Sequence, residues 1–137
     1  MKTTRNFRMA FANMMTKTFS NSNKMVLAQN LPMNIKLFIM KNFPQLSITF
    51  ASENNGYEVE LNDETMVYFD KNGSWKKIEN RNVALKTDFI PTSIQEFVTK
   101  TFFGQRIVMV EKKEEGFDVK LSNYIVLSFN TDGMLKG

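Results

Sequence analysis

The sequence is written twice. Leu31 to Phe50, LPMNIKLFIMKNFPQLSITF, lies above Ile90 to Met109, IPTSIQEFVTKTFFGQRIVM, at a constant offset of 59. Pro32 meets Pro91, Ile35 meets Ile94, Phe38 meets Phe97, Lys41 meets Lys100, Phe43 meets Phe102 and Ile48 meets Ile107. One inserted residue moves the offset to 60, and GYEVELNDETMVYFDKNGSWK, Gly56 to Lys76, then lies above GFDVKLSNYIVLSFNTDGMLK, Gly116 to Lys136. An internal repeat constrains the fold more than any single motif, because one supersecondary unit has to be built twice and joined to its copy. A unit of about 47 residues buries too little surface to be stable alone, so the halves are expected to share a core, joined edge to edge or face to face.

Each copy opens on a helix. Pro32 and Pro91 suit the first helical turn, where a missing N–H costs nothing. Leu31, Ile35, Phe38 and Ile39 recur at the spacing of one helical face, as do Ile94, Phe97, Val98 and Phe102. Pro44 and Gly104 are the stop signals. Strands follow. Tyr57, Val59 and Leu61 alternate with Glu58, Glu60 and Asn62, and Phe117, Val119 and Leu121 alternate with Asp118, Lys120 and Ser122, which is the pattern of half-exposed antiparallel strands. Each half therefore reads helix, strand, strand, strand and a short fourth strand. Phe43, Ile48, Phe50, Tyr57, Val59, Leu61, Val67 and Phe69 are expected to cover the first helix. Phe102, Ile107, Met109, Phe117, Val119, Leu121, Leu127 and Phe129 are expected to cover the second. The fold class is α+β, two tandem helix-plus-antiparallel-sheet repeats with the helices on one face of the sheet. Residues 1–30 form a basic arm or degenerate targeting segment, 31–79 the first repeat, 80–89 the connection and 90–137 the second repeat, with 31–137 one structural domain.

The chain of 137 residues holds no histidine and no cysteine, which removes His-based triads, thiol nucleophiles, zinc–thiolate sites and disulfides. Seven of the 18 basic side chains precede the first acidic residue, Glu53, leaving 11 against 14 acidic in the rest. The basic character thus belongs to the N-terminal part. Val26-Leu27-Ala28 resembles a small-residue cleavage site, but the apolar run Met9 to Met15 is short and broken by Asn13, below the roughly 7 to 15 residues of a secretory core. No stretch reaches the roughly 20 apolar residues of a membrane span. The arm carries no nucleic-acid-binding signature, and nucleic acid is not the expected partner.

The pattern LPxxIxxFIxxNFP, followed by GYEVEL and FDKNGSWKKIE, resembles the PepSY-like family of Bacteroidetes-type secreted proteins, which have a beta-lactamase inhibitory protein-like fold. The resemblance covers residues 31–137. It implies an antiparallel sheet with helices on one side, a periplasmic or secreted location and a binding or inhibitory role. The weak signal core departs from the family, and a cytoplasmic location stays open.

Two chemical readings compete for FDKNGSW, Phe69 to Trp75, and its second copy FNTDGML. In a calcium loop Asp70, Asn72 and Glu79 would take ligand positions, but Tyr68 and Lys76 fall where ligands belong. In a hairpin corner Asp70 or Asn130 opens a type I turn and Gly73 or Gly133 closes it with a bulge, and every residue preference is met. Glu58 and Glu60 share one strand face about 7 Å apart, a spacing open to acid–base chemistry, but Asp118 and Lys120 replace them in the second copy. The functional expectation is a non-enzymatic binding module without a cofactor. Met66, Tyr68 and Trp75, beside Glu58 and Glu60, would present a sheet face to a protein or peptide partner, with inhibition of an extracytoplasmic enzyme as one form of that role. The alternatives are a calcium-dependent or small enzymatic protein using Asp70, Asn72 and Glu79, and a cytoplasmic protein whose basic arm binds anions.

Overall fold

The computed structural model describes residues 23–136. Most of the basic arm, with its candidate targeting segment, lies outside the described residues. Strands are β1 (Lys24–Met25), β2 (Ile48–Glu53), β3 (Gly56–Leu61), β4 (Met66–Asp70), β5 (Trp75–Glu79), β6 (Ile107–Lys113), β7 (Gly116–Leu121) and β8 (Val126–Phe129). Helices are α1 (Met33–Asn42) and α2 (Thr92–Thr101). The eight strands form one sheet in sequence order, every neighbour antiparallel. The two halves join edge to edge through β5 and β6, with Lys77 opposite Glu111, Ile78 opposite Val110 and Glu79 opposite Met109. The first copy supplies four strands. The second supplies three, and its fourth shrinks to a single bridge, Phe129 to Leu135. The sheet also gains a strand upstream of Leu31, because Lys24 and Met25 pair with Glu53 and Ser52.

Both helices begin directly after their prolines, which sit at φ −53° and −55°. Each helix buries residues four apart, Ile35 and Ile39 in α1 and Ile94 and Val98 in α2. That spacing brings both side chains to one face. Each such burial contributes about 1.5–3 kcal/mol. Phe38 of α1 meets Phe69 of β4 edge-on at 5.6 Å, and Phe97 of α2 meets Phe129 of β8 in the same manner at 5.8 Å. The repeat is thus preserved down to ring geometry.

FDKNGSW is a hairpin corner, and so is its copy. Asp70 Oδ1 accepts the amides of Asn72 and Ser74, and Asn130 Oδ1 accepts those of Asp132 and Met134. Gly73 and Gly133 both stand at φ 85°, where an L side chain is strained. They also leave room for a helix start. Asn34 donates to the Asn72 carbonyl at 3.0 Å, and Ser93 donates to the Gly133 carbonyl at 3.0 Å. A Cβ on Gly73 would run into the Asn34 side chain, and one on Gly133 into Ser93. Each corner therefore latches the sheet to the first turn of its helix.

Three bulges change the faces expected from simple alternation. Ile48 lies opposite Leu61, yet Phe50 lies opposite Glu60, so two steps in β2 match one in β3. The same shift puts Met109 opposite Lys120. An extra residue turns the following side chains over. Phe50 and Met109 consequently leave the helix-covering row in which they were expected, and Ala51 and Val110 take their places opposite Val59 and Val119. The third bulge is in β5, where Tyr68 faces Lys77 but Phe69 faces Trp75, skipping Lys76.

Trp75 accordingly joins the aromatic packing around Phe69. Its ring lies 5.2 Å from Phe89, 6.4 Å from Phe38 and 6.4 Å from Phe117, nearly parallel to the last. Lys112 caps it at 4.7 Å. Trp75 of the first copy stacking on Phe117 of the second makes it a joint between the halves, with Phe89 of the connection wedged beside it. Asn80, only 2% exposed, anchors the start of that connection. Its amide nitrogen donates to the Asp63 carbonyl and the Thr65 hydroxyl, and its oxygen accepts the amides of Asn82 and Val83.

Candidate functional site: the second face of the sheet

Cα partners in an antiparallel pair point to the same side, so the register sorts the sheet into two faces. One carries the buried row Ala51, Val59, Val67, Ile78, Val110 and Val119. On the opposite face one row runs Ser52, Glu58, Tyr68, Lys77, Glu111, Asp118 and Ser128. Beside it runs a second, Phe50, Glu60, Met66, Glu79, Met109, Lys120 and Val126.

Four of the five residues expected to form a partner surface are together on this face. Glu58 stands opposite Tyr68, and Glu60 opposite Met66. Trp75 is not with them, because the bulge at Lys76 turns it to the other side. Tyr68 is the organising group. Its hydroxyl donates to Glu79 Oε2 at 2.9 Å, and the Lys77 ammonium lies 4.7 Å above its ring. Burial raises the Tyr68 pKa first, and the charge of Glu79, the hydrogen bond to it and the charge of Glu58 raise it further. The phenol therefore stays a donor throughout the physiological range. Sequence alternation missed Phe50 and Met109 on this face. The signal was faint: IVMV, Ile107 to Val110, is a run of four apolar residues in which strict alternation already fails.

Glu60 is 5% exposed. Burial raises its pKa above 4.5, and the charge of Glu64 adds to the rise. A carboxyl raised in the folded state favours folding most fully when protonated, and that contribution is lost as pH rises through the folded value. Glu60→Gln is therefore expected to melt above the wild type at pH 7. The gap should close as the pH falls below 4.5, the ordinary glutamate value. Thermal melts of both proteins across pH 3.5 to 7.5 check this.

The alternative ligand set does not assemble. Asp70 lies opposite Gly56 at one end of β4, whereas Glu79 lies opposite Met66 at the other, about 13 Å along the strand. Asp70 is committed to its turn: the Ser74 amide, then the Asn72 amide, Lys112 and the Gly73 amide hold its pKa down. Among the described residues no cluster of three acidic side chains is placed to hold a metal ion. No helix among them is long and apolar enough to cross a membrane.

The register and this half-buried second face define a class of protein: an open antiparallel sheet of two helix-and-strand repeats. The chain belongs to the family described as "Putative beta-lactamase-inhibitor-like, PepSY-like", matching it over residues 14–70 and 55–136. A putative calcium-regulated periplasmic protein from Bacteroides thetaiotaomicron has a similar structure, with TM-score 0.76, 26% identity, and coverage of 84% of this chain and 94% of that one. A putative periplasmic protein of unknown function from Bacteroides vulgatus has TM-score 0.76 at 22% identity, covering 85% and 98%. A second putative periplasmic protein from the same organism has TM-score 0.75 at 21% identity, covering 86% and 97%. The latter two likenesses concern the fold. No curated protein matches the sequence.

Proposed function

We propose that the chain is a non-enzymatic, extracytoplasmic binding module, with both helices roofing one sheet face and the other face offered to a protein or peptide. The observation that carries this reading is the second face itself, where Tyr68, Met66, Phe50 and Met109 lie among Glu58, Glu60, Glu79 and Lys77. Partly apolar, interspersed with polar and charged groups and held on strands rather than loops, it has the make-up of a recognition surface. Tyr68 is pinned by Lys77 and Glu79, so ordering it on binding costs little further entropy. The family description, with its reference to inhibitors, supports a partner-directed role. Inhibition of an extracytoplasmic enzyme is one form of it. The periplasmic description of the similar protein from Bacteroides thetaiotaomicron supports the location.

The test is affinity capture followed by titration of the captured partner. Tyr68→Ala is expected to weaken binding by roughly tenfold or more, the effect of losing a central aromatic anchor, and a thermal melt checks that the variant is folded at the temperature of the titration. Lys71→Ala, on the exposed hairpin corner, should bind as the wild type does. Equal affinity of the Tyr68 variant and the wild type would remove this face as the binding surface.

A further inference from the structure

We propose that the cleft where β5 and β7 end and β6 begins is an oxyanion-binding site, shaped for a small ligand bearing a phosphate or carboxylate group. The cleft, about 320 Å³, is lined by Glu79, Arg81, Arg106, Lys120, Ser122 and Tyr124 among others. That volume is at the small end of ligand pockets, which run from about 300 to 1,000 Å³. Among the described lining residues, Arg81, Arg106 and Lys120 stand against one carboxylate, Glu79. The hydroxyl of Tyr68 already occupies Glu79 Oε2 at 2.9 Å. Arg106 Nη2 donates to the Arg81 carbonyl at 2.8 Å, which holds the guanidinium while its remaining N–H groups stay available as a fork for an oxyanion. Tyr124, 82% exposed, presents its ring at the rim.

The internal repeat supplies the control. Ser47, Glu60, Asn62 and Glu64 occupy in the first copy the places of Arg106, Lys120, Ser122 and Tyr124 in the second. The backbone is the same. Glu64 and Tyr124 both stand at φ 73°. The Ser47 amide donates to Asn62 Oδ1 and the Arg106 amide to Ser122 Oγ, both at 3.1 Å. The fold therefore asks for a turn at this place and not for cations. Acidic groups occupy it in one copy and basic groups in the other, and in the second copy Arg81, just after β5, also lines it. The charge at the cleft is thus a property of the site beyond what the shared architecture requires.

Backbone amide shifts of the full chain, followed by NMR during separate titrations with inorganic phosphate and with succinate at constant ionic strength, test this. Saturable shifts grouped at Arg106, Ser122 and Tyr124 are expected. Saturation with phosphate alone marks a phosphorylated ligand, and saturation with succinate alone marks a carboxylate. Arg106→Ser with Lys120→Glu transplants the first copy's residues onto a backbone that already accepts them, and should weaken binding about tenfold or more. Arg106→Ser alone should weaken it less, and Lys71→Ala, an exposed cation at the first hairpin corner and outside the cleft, should leave it unchanged. Shifts that never saturate, that spread over all surface cations, or that persist unchanged in the double variant would overturn the proposal. The readout does not involve a protein partner, so its failure leaves the reading of the sheet face untouched.

Discussion

Phe69→Ala is expected to lower stability by about 3–5 kcal/mol, the range for emptying a phenylalanine site in a packed core. Phe69 is fully buried in β4, beneath the edge of the Phe38 ring. Its loss removes contacts with α1, with Tyr57 across β3 and with Trp75 across β5. A chain of this size should then melt roughly 10–15 °C lower. Phe129→Ala is expected to cost a similar amount, because Phe129 is equally buried and meets Phe97 of α2 in the same edge-on geometry. Thermal denaturation of the two variants and the wild type is the measurement. The comparison also reports on how the halves depend on each other. The rings Trp75 and Phe117 stack across the junction, so a cavity in either half should melt the whole sheet in one transition. Two separable transitions would show that the copies fold independently.

Much of the architecture was readable because the repeat supplied two independent spellings of it. Helix starts at Pro32 and Pro91, strand alternation in GYEVEL and GFDVKL, and the corner at Asp70 to Ser74 all rest on local chemistry: a fixed φ, a period, an Asx side chain capping its own turn. What escaped the sequence depends on partners far along the chain. Phe50 and Met109 look like inward residues until β3 and β7 set their register, since a bulge is a property of a pair of strands and not of one. Trp75, the only tryptophan, follows the turn directly and is of a residue type favoured as a partner anchor, so it was expected beside Tyr68. One skipped residue, Lys76, sends it to the opposite face. The edge-to-edge junction likewise had no local mark, because β5 is polar and short, and only the β6 ladder shows its role.

The candidate surface divides along the same line. Glu58, Glu60, Met66 and Tyr68 belong to one uninterrupted hairpin, so alternation places them together. Lys77 and Glu79, which hold Tyr68 in position, reach it only because β5 pairs with β4 in a shifted register. The basic cleft is still further from sequence reasoning. Arg81 follows the junction strand, Arg106 precedes β6 and Lys120 lies within β7, and only the assembled sheet brings them together. Comparing the two copies could have raised the question, since Glu60 facing Lys120 in alignment is a reversal of charge at one structural place.

Gly116→Ala is expected to be among the most damaging single substitutions in the second copy. Gly116 opens β7 at φ 151°, and a Cβ there would lie 1.8 Å from the Phe129 carbonyl oxygen and 2.8 Å from Asn130 Cα. Both are backbone atoms, so no side chain can swing aside, and relief requires β7 and β8 to separate where they pair. The first copy isolates this steric effect. Gly56 stands at φ 154° with its nearest contact, the Phe69 carbonyl oxygen, at 2.7 Å. The conformational penalty for an alanine is therefore nearly the same at both positions and cancels in the comparison, leaving the difference in approach. Gly56→Ala should cost about 1–3 kcal/mol, the scale of a residue forced into a sparsely populated backbone region. Gly116→Ala should exceed it by about 1 kcal/mol or more, placing it in the tail of mutational effects. Urea titrations of both variants measure the difference, and an unchanged slope with a lower midpoint identifies a loss of stability rather than of cooperativity. Equal losses at the two sites would mean that backbone conformation alone sets the cost, and that β8 yields to the methyl group without penalty.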